Sequence, residues 1–164
     1  EHRMSTLEVK GIQAPSGYDL QMPAGNIIQV VQGSATTQVS NSSTTAFIEY
    51  TQLSTSITPK FANSKILVTL SSSMRVWGSL NQSSADHYIA RNNVQVSGLY
   101  SIYTYDYGNS GVQPRILQTA VHLDSPATTS AVEYSSWMKL TSGSNCGWGA
   151  SGAYSTITLM EVAG

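Results

Sequence analysis

Tyr100, Tyr103, Tyr105 and Tyr107 crowd one short stretch, "YSIYTYDYGNSG", beside the carboxylate of Asp106 and the carboxamide of Asn109. An aromatic ring packs against the C–H side of a sugar, and a few carboxylate, amide or hydroxyl groups beside it bind the sugar's hydroxyls. Tyr103, Tyr105 and Tyr107 alternate, so in an extended chain all three project from one side. Turned inward, three phenols would each need a buried partner for the hydroxyl, a demanding arrangement. The Asp, Gly, Asn, Ser and Pro that follow end any regular strand. The expectation is a protruding arm with its tyrosines held out to a ligand. Trp148, in the glycine-rich "SGSNCGWGASG", is a second ring expected at the same end of the molecule, and Trp77 and Tyr100 are runner-up platforms. Trp77 and "DSPATTS" are expected to mark the opposite end. Trp137 lies mid-strand and reads as cover for an interface or a solvent-side face.

Other chemistry finds less support. Nine acidic residues and three histidines are spread along the chain. Glu49, Asp86, Asp106, Asp124, Glu133 and Glu161 could supply the carboxylate pair that glycoside cleavage requires, but no acid-rich block accompanies them. His87 with Asp86 and His122 with Asp124 come nearest to metal-ligand pairs; no metal site and no cofactor is expected. "GWGASG" has the spacing of a dinucleotide-binding loop, yet it precedes a strand and opens no helix. Cys146 is the single cysteine, so no disulfide closes within the chain, and nothing near it in sequence lowers a thiol pKa.

The elements that must position these groups are strands. Ile66, Val68, Leu70, Met74 and Val76 alternate with Lys65, Thr69, Ser71, Ser73 and Arg75, the pattern of a half-buried strand over residues 65–76. Further strands are expected over residues 26–32, 46–58, 87–91, 116–123, 131–141 and 154–162. "RNNVQV" reads as a tight hairpin through Asn92 and Asn93, because asparagine tolerates the positive φ such turns need. No amphipathic helix stands out. The expected class is all-β, an antiparallel sandwich of jelly-roll type over residues 26–164.

Composition narrows the partners. Of 164 residues only 10% are charged, the formal net charge is -1, and serine with threonine makes up about a quarter. A neutral, hydroxylated surface without a Lys/Arg cluster argues against nucleic acid and anionic membranes. No apolar run is long enough to insert in a membrane, and no signal peptide is visible. "EHR" before Met4 reads as a remnant or a cleavage product.

Two features do not suit a lone sandwich. "STITLMEV" sets Ile157 and Leu159 on one face and Met160 and Val162 on the other, and "NIIQVVQ" behaves similarly, so each needs cover from two sides. Residues 1–25 carry Leu7, Val9, Ile12, Leu20 and Met22 singly among Gly, Pro and polar residues and cannot build a core. Identical segments wrapped round a common axis, as in a fibrous neck or shaft, would satisfy these apolar residues, and a symmetric homo-oligomer explains both features; the alternative is a flexible N-terminal tail on a monomeric sandwich. A symmetric homo-oligomer is expected.

Four blocks in order, "MPAGNIIQVVQG", "SITPKFANSKILVTL", "HLDSPATTSAVEYSSWMKL" and "STITLMEVAG", resemble the C-terminal tip domains of tail-fibre proteins of tailed phages, especially those of marine bacteria (the cyanophage-like type). The resemblance covers most of residues 17–164 and leaves residues 74–85, 98–114 and 142–153 unmatched. It implies a homotrimeric, non-enzymatic tip joined to an upstream shaft, carried on the virion, and binding a bacterial surface receptor during adsorption. Rival readings are a purely structural trimerisation module and a virion-associated glycan hydrolase.

Overall fold

A computed structural model describes residues 23–78, 82–105, 115–149 and 153–164. These residues form an all-β molecule of two antiparallel sheets, with one 3-10 turn as the only helical piece among them. The strands are β1 (Ile27–Ala35), β2 (Val39–Asn41), β3 (Ile48–Glu49), β4 (Thr55–Ile57), β5 (Lys65–Trp77) and β6 (Gln82–Arg91). They continue as β7 (Val94–Gln95), β8 (Tyr100–Tyr105), β9 (Arg115–Asp124), β10 (Val132–Ser142), β11 (Asn145–Trp148) and β12 (Ser155–Val162).

The first sheet runs β1-β12-β5, with β9 on the far edge of β5. Past the end of β12, the near edge of β5 takes β11 and then β2. In the second sheet β10 pairs with β6; β3 and β4 pair with β10, and β7 and β8 pair with β6. Between the sheets lie Ile66, Val68, Leu70, Met74 and Val76 of β5, Ile157 and Leu159 of β12, and Ala85, Ile89, Tyr134, Met138 and Leu140 from the opposite side.

β5 follows its expected alternation along its whole length. The Asn92-Asn93 hairpin also forms as expected, with φ of 48° and 65°. The stretch 46–58 departs from expectation: it is broken by the 3-10 turn Thr51–Leu53 into β3 and β4. Tyr50 and Leu53 are both buried, and a spacing of three is the period of a 3-10 turn and not of a strand. Tyr50 anchors the turn by donating to the Thr37 carbonyl at 2.6 Å.

Two segments expected to be irregular are strands. β8 is no protruding arm; it pairs with β6 from Tyr100 to Tyr105 and puts Ile102 in the core. β11 inserts Cys146 and Trp148 into the core from a segment whose glycines suggested a loop. Gly149 ends it at φ +64°, where an added Cβ would lie 2.6 Å from the Thr37 carbonyl oxygen.

Cover for β12 and β1 comes from one side only among the described residues. Ile157 and Leu159 are buried, Met160 and Val162 are half-buried, and Ile27 and Val30 of β1 are exposed.

Candidate functional site

Tyr103 and Tyr105 stand on the outer face of the second sheet, 57% and 67% exposed. Alternation along β8 puts Ser101 on the same side and sends Ile102 inward. The register then fixes the floor of the site. Ser101 faces Asp86 across the β6–β8 pair, Tyr103 faces Ser84, and Tyr105 faces Gln82. Ser101 Oγ donates to Asp86 Oδ1 at 2.6 Å. A carboxylate accepts more hydrogen bonds than one hydroxyl can fill, so Asp86 keeps capacity for hydroxyl donors. Two rings about 7 Å apart along one strand, beside an ordered carboxylate, match the needs of a sugar-binding surface.

The same face continues across β6 onto β10. Tyr88 and Trp137 are cross-strand partners whose rings lie 6.3 Å apart at 5°. Phe47 packs against Tyr88 at 4.8 Å, and the Lys139 ammonium sits 4.8 Å from the Phe47 ring centroid. Trp137 Nε1 donates to Ser135 Oγ at 3.1 Å. Trp137 therefore lies on the solvent-side face.

Trp148 does not join this surface. It is 0% exposed, and its ring meets the imidazole of His87 edge-on at 4.8 Å, which corrects the reading of Trp148 as a ligand platform. The physical reason is β11, whose pairing with β2 and β5 turns the indole between the sheets. Tyr100 is half-buried; its ring stacks on His87 at 5.1 Å and its hydroxyl donates to the Val121 carbonyl at 2.7 Å, so it braces β8 against β9.

Trp77 also moves. It ends β5 opposite Asn145, and Ser144 N donates to its carbonyl at 2.9 Å. Ser142 in turn faces Ser84, one row from Tyr105, so Trp77 belongs to the same end of the sandwich as the tyrosines, not the opposite one. The Arg75 guanidinium lies 4.1 Å from its ring centroid. Asp106, Tyr107 and Asn109 lie outside the described residues.

Three further carboxylates, Asp124, Glu161 and Glu49, are held by local partners. Asp124 accepts from Arg91 and from the Tyr134 hydroxyl, each at 2.7 Å. Burial, with Asp124 beside it, pushes the Tyr134 phenol well above its usual range. Glu161 is buried; burial alone would raise its pKa, but the Ser64 hydroxyl beside it and hydrogen bonds from Gln29 and from the backbone of Lys60 and Phe61 outweigh that and hold it below the usual value. Glu49 accepts from Ser54 at 2.8 Å. Asp86 and His87 point to opposite sides of β6, so they do not form a ligand pair. No cluster of three or more His, Cys, Asp or Glu suited to a metal occurs among the described residues. Burial pushes the Cys146 thiol up to about 12, and its Sγ donates to the Asn41 carbonyl at 3.4 Å.

Two partners of the tyrosines were open to sequence reasoning only in part. Ser101 shares the period-2 face of Tyr103 and Tyr105 and could have been found that way. Asp86 could not, because its place beside Ser101 depends on the β6–β8 register. No protein-family model matches the chain, and no curated protein matches it in sequence.

Proposed function

We propose that this chain is the non-enzymatic distal domain of a phage tail fibre, which assembles as a homotrimer on an upstream shaft and attaches the virion to a bacterial surface glycan. The observation that carries the binding role is the pair of exposed tyrosines on a paired strand beside the Asp86–Ser101 hydrogen bond. Rings fixed by a sheet lose little entropy when a ligand docks. Weak contacts to single sugars are multiplied when several sites act together.

The strand order supports a jelly roll. Taking the eight main strands as β1, β4, β5, β6, β8, β9, β10 and β12, the first pairs with the last, β4 with β10, β5 with β9, and β6 with β8. Nested pairing of this kind results when one long hairpin is rolled into two sheets. It also brings the tyrosine end of β8 and the termini of β5 and β10 together at one end of the sandwich.

A second reading, a purely structural module that ends a fibre, is favoured by the uncovered aliphatic surface on the first sheet. The test is retention of the protein on a panel of immobilised bacterial envelope polysaccharides. The binding reading expects retention on at least one of them and loss of at least tenfold in affinity for Tyr103→Ala with Tyr105→Ala, at unchanged far-UV circular dichroism. No retention on any polysaccharide or on whole cells supports the structural reading.

A further inference from the structure

The outer face of the first sheet is built in rows across β1, β12, β5 and β9. One row is Val30–Met160–Leu67–Leu123, apolar in all four strands. The next is Gln32–Thr158–Thr69–Val121, and the one after it Ser34–Thr156–Ser71–Thr119. Leu117 follows on β9 at 70% exposure, and Ile27 lies opposite Val162 at the other end. Among the described residues, the only charged side chain on this face from Ile27 to Leu117 is Lys65, at one rim; Arg75 and Arg115 face each other in the row beyond Leu117, at the other rim.

The edge of that face is equally unguarded. Edge strands that must stay solitary are usually short, bulged, or interrupted by Lys or Pro. β9 is ten residues long, pairs with β5 without a register shift, and carries no Lys or Pro. Among the described residues no strand pairs with its outer edge, and the Tyr100 hydroxyl occupies one of its carbonyls.

We infer that this face, from Val30 across to Val121 and Leu123, is where copies of this chain meet. Its chemistry selects the partner. A covering surface must itself be uncharged, and the other outer face, with Glu49, Asp86, Glu133 and Lys139, is not. The matching surface on the molecule is this face on a second copy. The chain ahead of β1 arrives at the same place: Gly25 N donates to the Ala163 carbonyl at 2.9 Å and Ala163 N to the Asn26 carbonyl at 2.8 Å, beside the apolar row. Copies joined here start their N-terminal segments at one end, as a shaft requires. Folded back on its own face, the segment 4–22 would offer five scattered apolar residues to a surface four strands, or about 15–20 Å, wide.

This inference deepens the self-association proposed above and rests on that reading only for the number of copies. Its test is light scattering on the full chain. The expected result is a multiple of 17.5 kDa for the unaltered protein and a single-chain mass for Val121→Lys with Leu123→Lys, with the strand signal in circular dichroism retained. An unaltered protein of single-chain mass at tens of micromolar, including one whose own segment 4–22 covers the face, overturns the inference. So does a lysine variant with undiminished mass. If the lysines unfold the chain, Val121→Ser with Leu123→Ser is expected to weaken association at least tenfold, and unchanged association overturns the inference. Loss of glycan retention in the tyrosine variant is a separate readout, so the binding role and the associating face fail independently.

Discussion

The two outer faces of the sandwich use the same strand geometry for opposite surfaces. On the first sheet the outward positions from Val30 across to Leu117 hold aliphatic, hydroxyl and amide side chains, with Lys65 at one rim and Arg75 and Arg115 at the other; on the second they hold rings, carboxylates and an ammonium. In a chain with only 10% charged residues, where the charges fall is informative. An uncharged face suits permanent cover by a like surface. A face where rings alternate with Asp, Ser and Lys suits a polar ligand that comes and goes.

The comparison can be broken most severely from the inside. Trp148→Ala is expected to cost about 3–5 kcal/mol, since it empties a fully buried ring position. Denaturant unfolding measures it. A cost below 1 kcal/mol, as at a surface ring, would return Trp148 to the list of ligand platforms.

Acid provides the next test. His87 is buried between Tyr100 and Trp148, neither of its ring nitrogens has a hydrogen-bond partner among the described residues, and burial lowers its pKa to about 4 from 6.5, against a smaller opposing pull from Asp86. The unfolded chain therefore binds the proton more tightly. His87 contributes its full share of stability above pH 6.5, and roughly 3 kcal/mol of it is lost as the pH falls to 4. Glu161, held below its ordinary 4.5, adds acid sensitivity only from about that pH downward, at the foot of this window, and does so equally in the His87 variant. Stability curves of the protein and of His87→Leu should diverge between pH 6.5 and 4. Parallel curves would show that the imidazole is not sealed in the core behind β8.

Breaking the Asp86–Ser101 hydrogen bond with Ser101→Ala sharpens the comparison more gently. Stability should fall by about 1 kcal/mol or less, because the pair is exposed. Glycan affinity should fall further than that if the carboxylate must be held in place to accept from a ligand. Equal small losses in both would make Asp86 a bystander. Smallest of all is the expected stability change for Tyr103→Ala or Tyr105→Ala, within about 0.5 kcal/mol by thermal or denaturant unfolding, since the rings are exposed.

Much of this was readable in the chain itself where local pattern and final environment agree. β5 alternates cleanly because one side faces the core and the other does not, and the two-sided character of "STITLMEV" already marked the first sheet's outer face. Tyr103 and Tyr105 were placed on an exposed side by the same alternation. Reading failed where tertiary pairing overrides composition. The "NCGW" inside the glycine-rich "SGSNCGWGASG" becomes a strand because β2 and β5 flank it, and nothing local announces that. Trp77 was assigned to the wrong end because its place follows from the β10–β11 turn folding back beside β5, a long-range pairing. The Asp86–Ser101 contact was hidden for the same reason.

The division between a binding face and an associating face is tested most directly by measuring retention on one immobilised envelope polysaccharide for three proteins side by side. The account predicts that Tyr103→Ala with Tyr105→Ala loses retention while keeping the mass of the unaltered protein. It predicts that Val121→Lys with Leu123→Lys keeps its affinity per site but loses the roughly 10²–10⁴-fold gain that linked sites provide. Full retention by the tyrosine variant would contradict it.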